Sequence, residues 1–487
     1  MADTTAVPGS WGELLGRDYG RATTVLAGGV ALYAINEFIT MSLLPSVVAD
    51  IGGARLYAWV TTVYLVASVV SATTVGPVLA RFGPRHSYLG ALLFFAGGTA
   101  VCAAAPSMTA LLAGRLIQGL AGGVLAGLGY AVISAALPER LWTRAAAVVS
   151  AMWGVGTLVG PASGGVFAQF GLWRWGFGVL MFAALLMAAL VPIALPARGG
   201  ATEQSVRIPV RSLVLLGVAA LLVSVAALPR NLAITAGLLV SAAALVVVFV
   251  VVDRGAAARV LPRRTFEPGP LKWIYLTMGL LMAATMVDMY APLFGQRLGA
   301  LPPAAAGFLG AALSVGWTVA EIRSASIADR RVAARVVRWS PAVMAAGLGL
   351  AALAIRDGAG PVAIAALGLA LAISGVGIGA AWPHLSVWAM GSVEGGPVEG
   401  SPVEGGPVEG GGVEGGSADD AAERAVAAAA INTVQLMCAA FGAGVAGVVV
   451  NVRAEPDAPA AQWLFAVFAG LAAVGWLASS RAAREPR

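Results

Sequence analysis

The chain has 487 residues, of which 59% are hydrophobic and only 11% charged, with a formal net charge of +6. A soluble domain carries roughly a quarter of its residues as charges, so the class left is a polytopic membrane protein. The basic residues stand singly between apolar stretches, which excludes a nucleic-acid surface and suits contact with membrane lipid, anionic headgroups in particular.

A bilayer crossing needs roughly 20 mostly apolar residues. Fourteen stretches qualify, at about 22–44, 56–79, 87–106, 108–137, 143–170, 174–196, 211–229, 231–252, 271–296, 304–327, 338–356, 361–390, 424–452 and 461–480. The segment 1–21 reads as a cytoplasmic tail. It has no n-region, h-region and cleavage site of a signal peptide, so the first span itself targets the chain. Cys102 and Cys438 lie in separate spans with no metal-ligand spacing and read as packing residues. The expectation is no metal and no cofactor.

In the fifth span, Gly156, Gly160 and Gly164 recur every four residues, followed by Gly165, with Pro161 between them. Such spacing lays a bare stripe along one helix face, where another helix approaches closely. Pro161 removes a backbone donor in mid-helix and bends it. The seventh and eighth spans are joined only by Arg230 and Asn231. If 211–252 did not span, the count would be twelve with the same orientation at both ends; its length and purity favour two full crossings. Between the twelfth and thirteenth spans, 392–416 holds five copies of a Gly- and Glu-containing pentapeptide. That composition cannot build a packed core and reads as a disordered acidic linker over about 391–420. A second reading is a regulatory acidic loop.

Charge orients the spans. With the N-terminus inside, cytoplasmic segments hold 23 of the 30 Lys and Arg, external ones hold six, and Arg115 lies within a span. This is the positive-inside pattern, with both termini, 1–21 and 481–487, cytoplasmic in a multi-pass protein of the cell membrane.

Charge inside a bilayer is expensive and marks function by default. Glu37, Arg115, Asp288 and Glu321 qualify. Glu37, Arg115 and Asp288 each fall eight residues from the external end of their span, about 12 Å deep at 1.5 Å per residue. Three charges at one depth read as one site that exchanges a proton for a cationic substrate. The alternative, less favoured, is a structural Glu37–Arg115 pair locking the first span to the fourth. Glu321 lies nearer the cytoplasmic end, free to snorkel or pair with Arg323. His384 reads as a hydrogen-bonded packing residue. Trp153, Trp317 and Trp382 lie within spans as cavity-lining or packing residues.

Several of these stretches resemble the major facilitator superfamily. The fifth-span run of Gly156, Gly160, Pro161, Gly164 and Gly165 resembles the signature of its proton-coupled exporters. Arg115, Gln118 and Gly119 match its RxxQG motif, whose arginine the family associates with proton coupling. Gly76, Arg81, Gly83 and Arg85 resemble its cytoplasmic loop motif between the second and third spans, with Ala80 in place of an aspartate. The loop after the tenth span keeps Asp329 and Arg330. Asp50 to Gly53, Trp173 to Trp175, and Asn432 with Gln435 match further family positions. The count of fourteen resembles the drug:proton antiporter branch, which carries an acid in the first span nine residues before a proline. Asn36 holds that position here, with Glu37 one place on.

The resemblance implies an all-α fold of two six-helix pseudo-symmetric bundles, 22–197 and 271–480, around a central two-helix hairpin at 211–252. It implies a monomer that exports amphipathic, cationic or lipid-like small molecules in exchange for protons by alternating access. Other readings are a narrow-specificity lipid or metabolite exporter of the same fold and, disfavoured by the short external loops, a polytopic membrane enzyme.

Overall fold

The computed structural model describes residues 10–196, 208–229, 231–327, 329–391, 418–452 and 457–483. The pentapeptide repeat at 392–416, the turn residue Arg230 and the outermost tails lie outside the described residues. Among the described residues the secondary structure is helical throughout. Inside a bilayer each backbone N–H and C=O must be satisfied within the protein, and a helix does this within one segment.

The long helices in chain order are α1 (Gly20–Ile51), α2 (Tyr57–Ala72), α3 (Val75–Ala103), α4 (Met108–Ala131), α5 (Trp142–Gln169), α6 (Trp173–Ala194), α7 (Val210–Val225), α8 (Leu232–Gly255), α9 (Leu271–Gly299), α10 (Pro303–Ser324), α11 (Arg330–Ala354), α12 (Pro361–Gly391), α13 (Ala418–Asn451) and α14 (Ala458–Ala482). Local chemistry sets the ends. Gly52, at φ 73°, stops α1. Ser107 caps α4 by accepting from the Ala110 amide at 3.3 Å, and Asn231 caps α8 by accepting from the Ala233 amide at 2.9 Å.

Twelve helices among the described residues are long and apolar enough to cross a membrane. The two long helices outside that set are α5 and α7. Helix α7 has 16 residues, which gives about 24 Å at 1.5 Å per residue, short of a hydrocarbon core of about 30 Å.

Three expectations from the sequence change. The stretch from Gly76 to Arg85 is helical, with one break at Gly83 (φ 71°, ψ 172°). Of its two prolines, Pro77 stands in the first turn of α3, where the missing N–H costs nothing, and Pro84 directly follows the Gly83 break. Helix α11 begins at Arg330, eight residues before the expected span, because Asp329 caps it by accepting from the Arg331 amide at 2.7 Å. Helix α9 is interrupted: Met286–Tyr290 is a 3-10 turn between Leu271–Thr285 and Ala291–Gly299. The uniform rise assumed for the depth of Asp288 therefore does not hold there.

In the first half, α1 packs on α5 and α6, α4 on α2 and α3, and α3 on α6. In the second half, α9 packs on α13 and α14, α12 on α10 and α11, and α11 on α14. The halves meet where α5 lies on α10 and α2 on α13. Helix α7 sits on both α2 and α13, and α8 packs on α7. The most apolar window of α8 is only 17% buried, so the rest of the protein covers little of this helix.

Candidate functional site

The glycine stripe of α5 brings α1 into position. A Cβ at Gly156 would lie 2.6 Å from Ala34 Cβ, and one at Gly160 would lie 2.5 Å from Phe38 Cβ. Gly164 lies against Ile39 and Ser42 in the same way. Gly165 faces the other half, where an added Cβ would be 2.6 Å from Ala304 Cα. Pro161 lies inside α5, and its carbonyl oxygen is close to Gly307 of α10. The stripe thus joins α1 to α5 and, at its end, one half to the other.

Arg115 on α4 is 1% exposed. Its Nε donates to Val60 O at 3.1 Å, and its Nη1 donates to Thr40 Oγ1 at 3.3 Å and to Gln118 Oε1 at 3.0 Å. The guanidinium also stands 4.0 Å from the centre of the Tyr64 ring, a favourable cation–π position. Gln118 Nε2 donates to Asn36 Oδ1 at 3.1 Å and to Thr99 Oγ1 at 2.9 Å. Thr40 donates to Asn36 O at 2.6 Å. Asn36, Arg115 and Gln118 are therefore members of one buried network linking α1 to α4, with groups from α2 and α3.

Glu37 is not part of it. No ion pair joins Glu37 to Arg115 among the described residues, and Glu37 has no hydrogen-bond partner among them. The structural pair read from the sequence is replaced by a guanidinium held by neutral groups. The reason is helical phase: one residue is about 100° of rotation, and Asn36, not Glu37, faces Gln118. Glu37 is still buried, at electrostatic range of both Arg115 and Asp288.

Asp288 lies on the 3-10 turn of α9, 5% exposed, and its Oδ1 has no partner. Beside it, Tyr57 of α2 stacks on Tyr290 with ring centres 4.8 Å apart, and its hydroxyl donates to Met289 O at 3.1 Å. Tyr33, one turn before Glu37, stacks on Tyr64 at 5.5 Å and meets the edge of Trp153 at 5.5 Å. Buried polar groups are normally paired. The hydroxyls of Tyr33 and Tyr290, Asn36 Nδ2, Asp288 Oδ1 and Gln296 Nε2 are all buried without a partner. These are five of the nine such groups among the described residues, all on α1 and α9, the helices that carry Glu37 and Asp288, neither of which has an ion-pair partner.

Contacts between the halves gather at one end of the molecule. Besides the Tyr57–Tyr290 stack and the Gly165–Ala304 approach, Asn451 Nδ2 donates to Arg55 O at 2.9 Å. These residues lie at or next to the ends of α2, α5, α9, α10 and α13 that the charge bias reads as external.

The other candidates stand apart. Glu321 does not pair with Arg323; it accepts from Trp317 Nε1 at 2.8 Å, and Trp317 lies 5.5 Å from Trp382. His384 bonds Ser324 Oγ at 2.9 Å as a packing residue. Arg85 Nε donates to Leu195 O at 3.0 Å, tying α3 to the end of α6, while the Arg81 guanidinium lies 5.5 Å from the Phe82 ring. Gly76 and Arg330 are exposed in the first turns of their helices, and Asp329 is spent on capping α11.

The sequence reading missed Tyr33, Tyr57, Tyr64 and Tyr290. The available signal was the spacing of Tyr33 and Glu37, four apart on one helix face. It also missed Asp253, fully buried one residue beyond an expected span. Asp253 accepts from Ser212 Oγ at 2.7 Å and from the amides of Val260 and Leu261 at 2.8 and 3.0 Å.

A family model described as Major Facilitator Superfamily matches residues 26–397. A Mycobacterium tuberculosis (strain H37Rv) protein named probable multidrug-efflux transporter Rv1634 is 57% identical over 497 residues, covering 100% of this chain and 99% of the relative. The multidrug efflux pump SdrM of Staphylococcus aureus (strain N315) is 27% identical over 292 residues, 58% of this chain and 64% of that one. Among solved structures, the nucleoside transporter NupG superposes with a TM-score of 0.64 at 13% identity, covering 96% of this chain and 100% of that one; at this identity the likeness concerns the fold alone.

Proposed function

The chain belongs to the major facilitator superfamily, and we propose that it exports amphipathic, cationic drug-like compounds in exchange for protons. It is a multi-pass membrane transporter rather than an enzyme. Its relatives carry the multidrug part of this reading, since one that spans the whole chain is named for multidrug efflux. The observation that carries the coupling is the pair of buried, unpaired carboxyl groups of Glu37 and Asp288 beside the Arg115 network.

A carboxyl group in low dielectric is held protonated unless a positive charge comes near. A cationic substrate entering between Glu37 and Asp288 supplies that charge and displaces protons; its departure lets them return. The Arg115 guanidinium, fixed by Val60, Thr40, Gln118 and Tyr64, sets the local potential without neutralising either acid. Asn36 and Gln118 hold it in place. Glu321, bonded to Trp317 on α10, takes a secondary part nearer the cytoplasm.

In this reading the molecule is a monomer in the cell membrane with both termini cytoplasmic. It has fourteen crossings, with α7 and α8 as a hairpin between two pseudo-symmetric bundles that rock in alternation. The repeated neighbour pattern of the two halves supports that symmetry. The contacts gathered at one end form the outer seal of an inward-facing state. The glycine face of α5, the Gly83 break with Arg81 and Arg85, and the Asp329 cap with Arg330 are the joints about which helices shift. The 392–416 repeat is a linker without a specific part in transport.

The test is proton release from detergent-purified protein on adding a cationic dye. Wild type releases protons, and the Glu37→Gln/Asp288→Asn double variant does not, although it still binds a neutral substrate. Equal release from both ends the proposal.

A further inference from the structure

The cytoplasmic-side ends of α11 and α14 border a half-open cavity of about 250 Å³ lined by Ala334, Arg335, Arg338, Ser480 and Ala483. It lies far along the chain from the carboxylates and the Arg115 network, and transport as proposed above does not use it. We propose that this cavity is a binding site for a phosphate group, supplied by the headgroup of an anionic phospholipid.

The chemistry of the lining points to that ligand. Arg335 and Arg338 are three residues apart and so share one face of α11. Both are exposed, and neither has an ion-pair partner among the described residues. No acidic side chain lines the cavity, so its two guanidinium groups meet no internal counter-charge. Guanidinium groups match phosphate oxygens with paired, charge-assisted hydrogen bonds. Ser480 adds a hydroxyl, and Ala334 and Ala483 leave room between the helices.

Size decides against a drug-like occupant. Pockets for such molecules run from roughly 300 to 1,000 Å³, above the volume here. Position decides for a lipid. Trp339, next to Arg338, is 52% exposed and stacks on Trp476 with ring centres 5.4 Å apart. Trp273 lies nearby in sequence register at the same expected membrane face, with the Arg481 guanidinium 4.5 Å and Lys272 Nζ 5.9 Å from its ring centre. Tryptophan gathers at the headgroup level. The frame of the cavity is also fixed: Ser479 Oγ donates to Arg338 O at 3.0 Å, joining α14 to α11 directly beneath the arginines.

The experiment uses the full chain in detergent with phosphatidylglycerol, phosphatidylcholine or inorganic phosphate as probe. Native mass spectrometry reads retained lipid, and equilibrium dialysis reads phosphate. Phosphatidylglycerol should be retained over phosphatidylcholine. The Arg335→Gln/Arg338→Gln variant should bind it about 25-fold more weakly, at roughly fivefold for each arginine near an anionic ligand. Arg211→Gln, an exposed arginine outside the cavity, should retain it as wild type does; equal loss there overturns the site. Arginine-dependent binding of inorganic phosphate without retention of phosphatidylglycerol keeps the phosphate chemistry but overturns the lipid as its source. Equal retention by wild type and the double variant, or no binding of either probe, overturns the proposal. Because both side chains are exposed, an unchanged melting temperature of the double variant will separate lost binding from lost folding.

Discussion

Replacing Gly160 by leucine tests how tightly α5 must hold α1. A Cβ at Gly160 would lie 2.5 Å from Phe38 Cβ and 3.0 Å from Ile39 N, whereas ordinary contact begins at 3.4 Å. The first obstacle is a Cβ and the second a backbone nitrogen, so no flexible side-chain tip can swing aside. Helix α1 must retreat by about 1 Å for the Cβ alone, and further for the rest of the leucine. Overpacking of this kind costs roughly 1–3 kcal/mol. The displaced segment holds Asn36 and Glu37, so the loss of function should exceed the loss of stability. Gly154→Leu is the matched control, because nothing lies within 4 Å of an added Cβ there. The assay is pH-gradient-driven export of a fluorescent cation from proteoliposomes, normalised to folded protein by size-exclusion chromatography. Gly160→Leu should abolish transport while Gly154→Leu retains it. Wild-type transport by Gly160→Leu, or equal loss in both, would refute the argument that this contact positions α1.

Three other outcomes are expected. Asp253→Ala removes the acceptor for Ser212 Oγ and two amides; at about 1–3 kcal/mol for a buried group left unsatisfied, the melting temperature should fall clearly, and Ser212→Ala should cost less. A melting curve unchanged by Asp253→Ala would show that the α7–α8 hairpin does not depend on this carboxylate. Tyr57→Ala removes both the stack on Tyr290 and the bond to Met289 O, so a cysteine at Phe294 should react faster with an impermeant thiol reagent outside, while Tyr57→Phe, which keeps the stack, should change the rate less. Leu232→Cys, at a position 76% exposed and with the Asn231 cap intact, should label from outside whole cells; labelling only after lysis would favour twelve crossings.

The span limits were legible because a bilayer imposes length and apolarity together, and most helices start or stop within a few residues of the expected limits. Where they differ, a local polar event intervened. The cap at Asp329 extends α11 outward over an arginine-rich stretch, and Pro77 enters the first turn of α3 where a loop was expected. The membership of the Arg115 network was half legible. Asn36 and Gln118 follow from helix periodicity once Arg115 is fixed, but the choice between Asn36 and Glu37 depends on a rotation that spacing alone does not set. The tyrosines were hidden for another reason. Tyr57 and Tyr290 lie far apart in sequence and meet only because the halves come together. A buried, partnered Asp253 was passed over because it falls at a span boundary, where a charge reads as solvated.

Helix α7 rests on α2 from the first half and on α13 from the second, and Trp59 Nε1 reaches across to Ser224 O at 2.9 Å. Its partner α8 is an apolar helix left mostly uncovered by the rest of the protein. Any relative motion of the halves therefore drags this apolar hairpin across the line where they meet. In the fourteen-crossing reading α7 is only 16 residues long, so the surrounding bilayer must thin or flanking residues must snorkel to meet it, at a cost of fractions of a kcal/mol per Å of mismatch. In that reading membrane thickness enters the conformational equilibrium as a mechanical load, and the same protein would divide its time differently between its two faces in thin and thick bilayers.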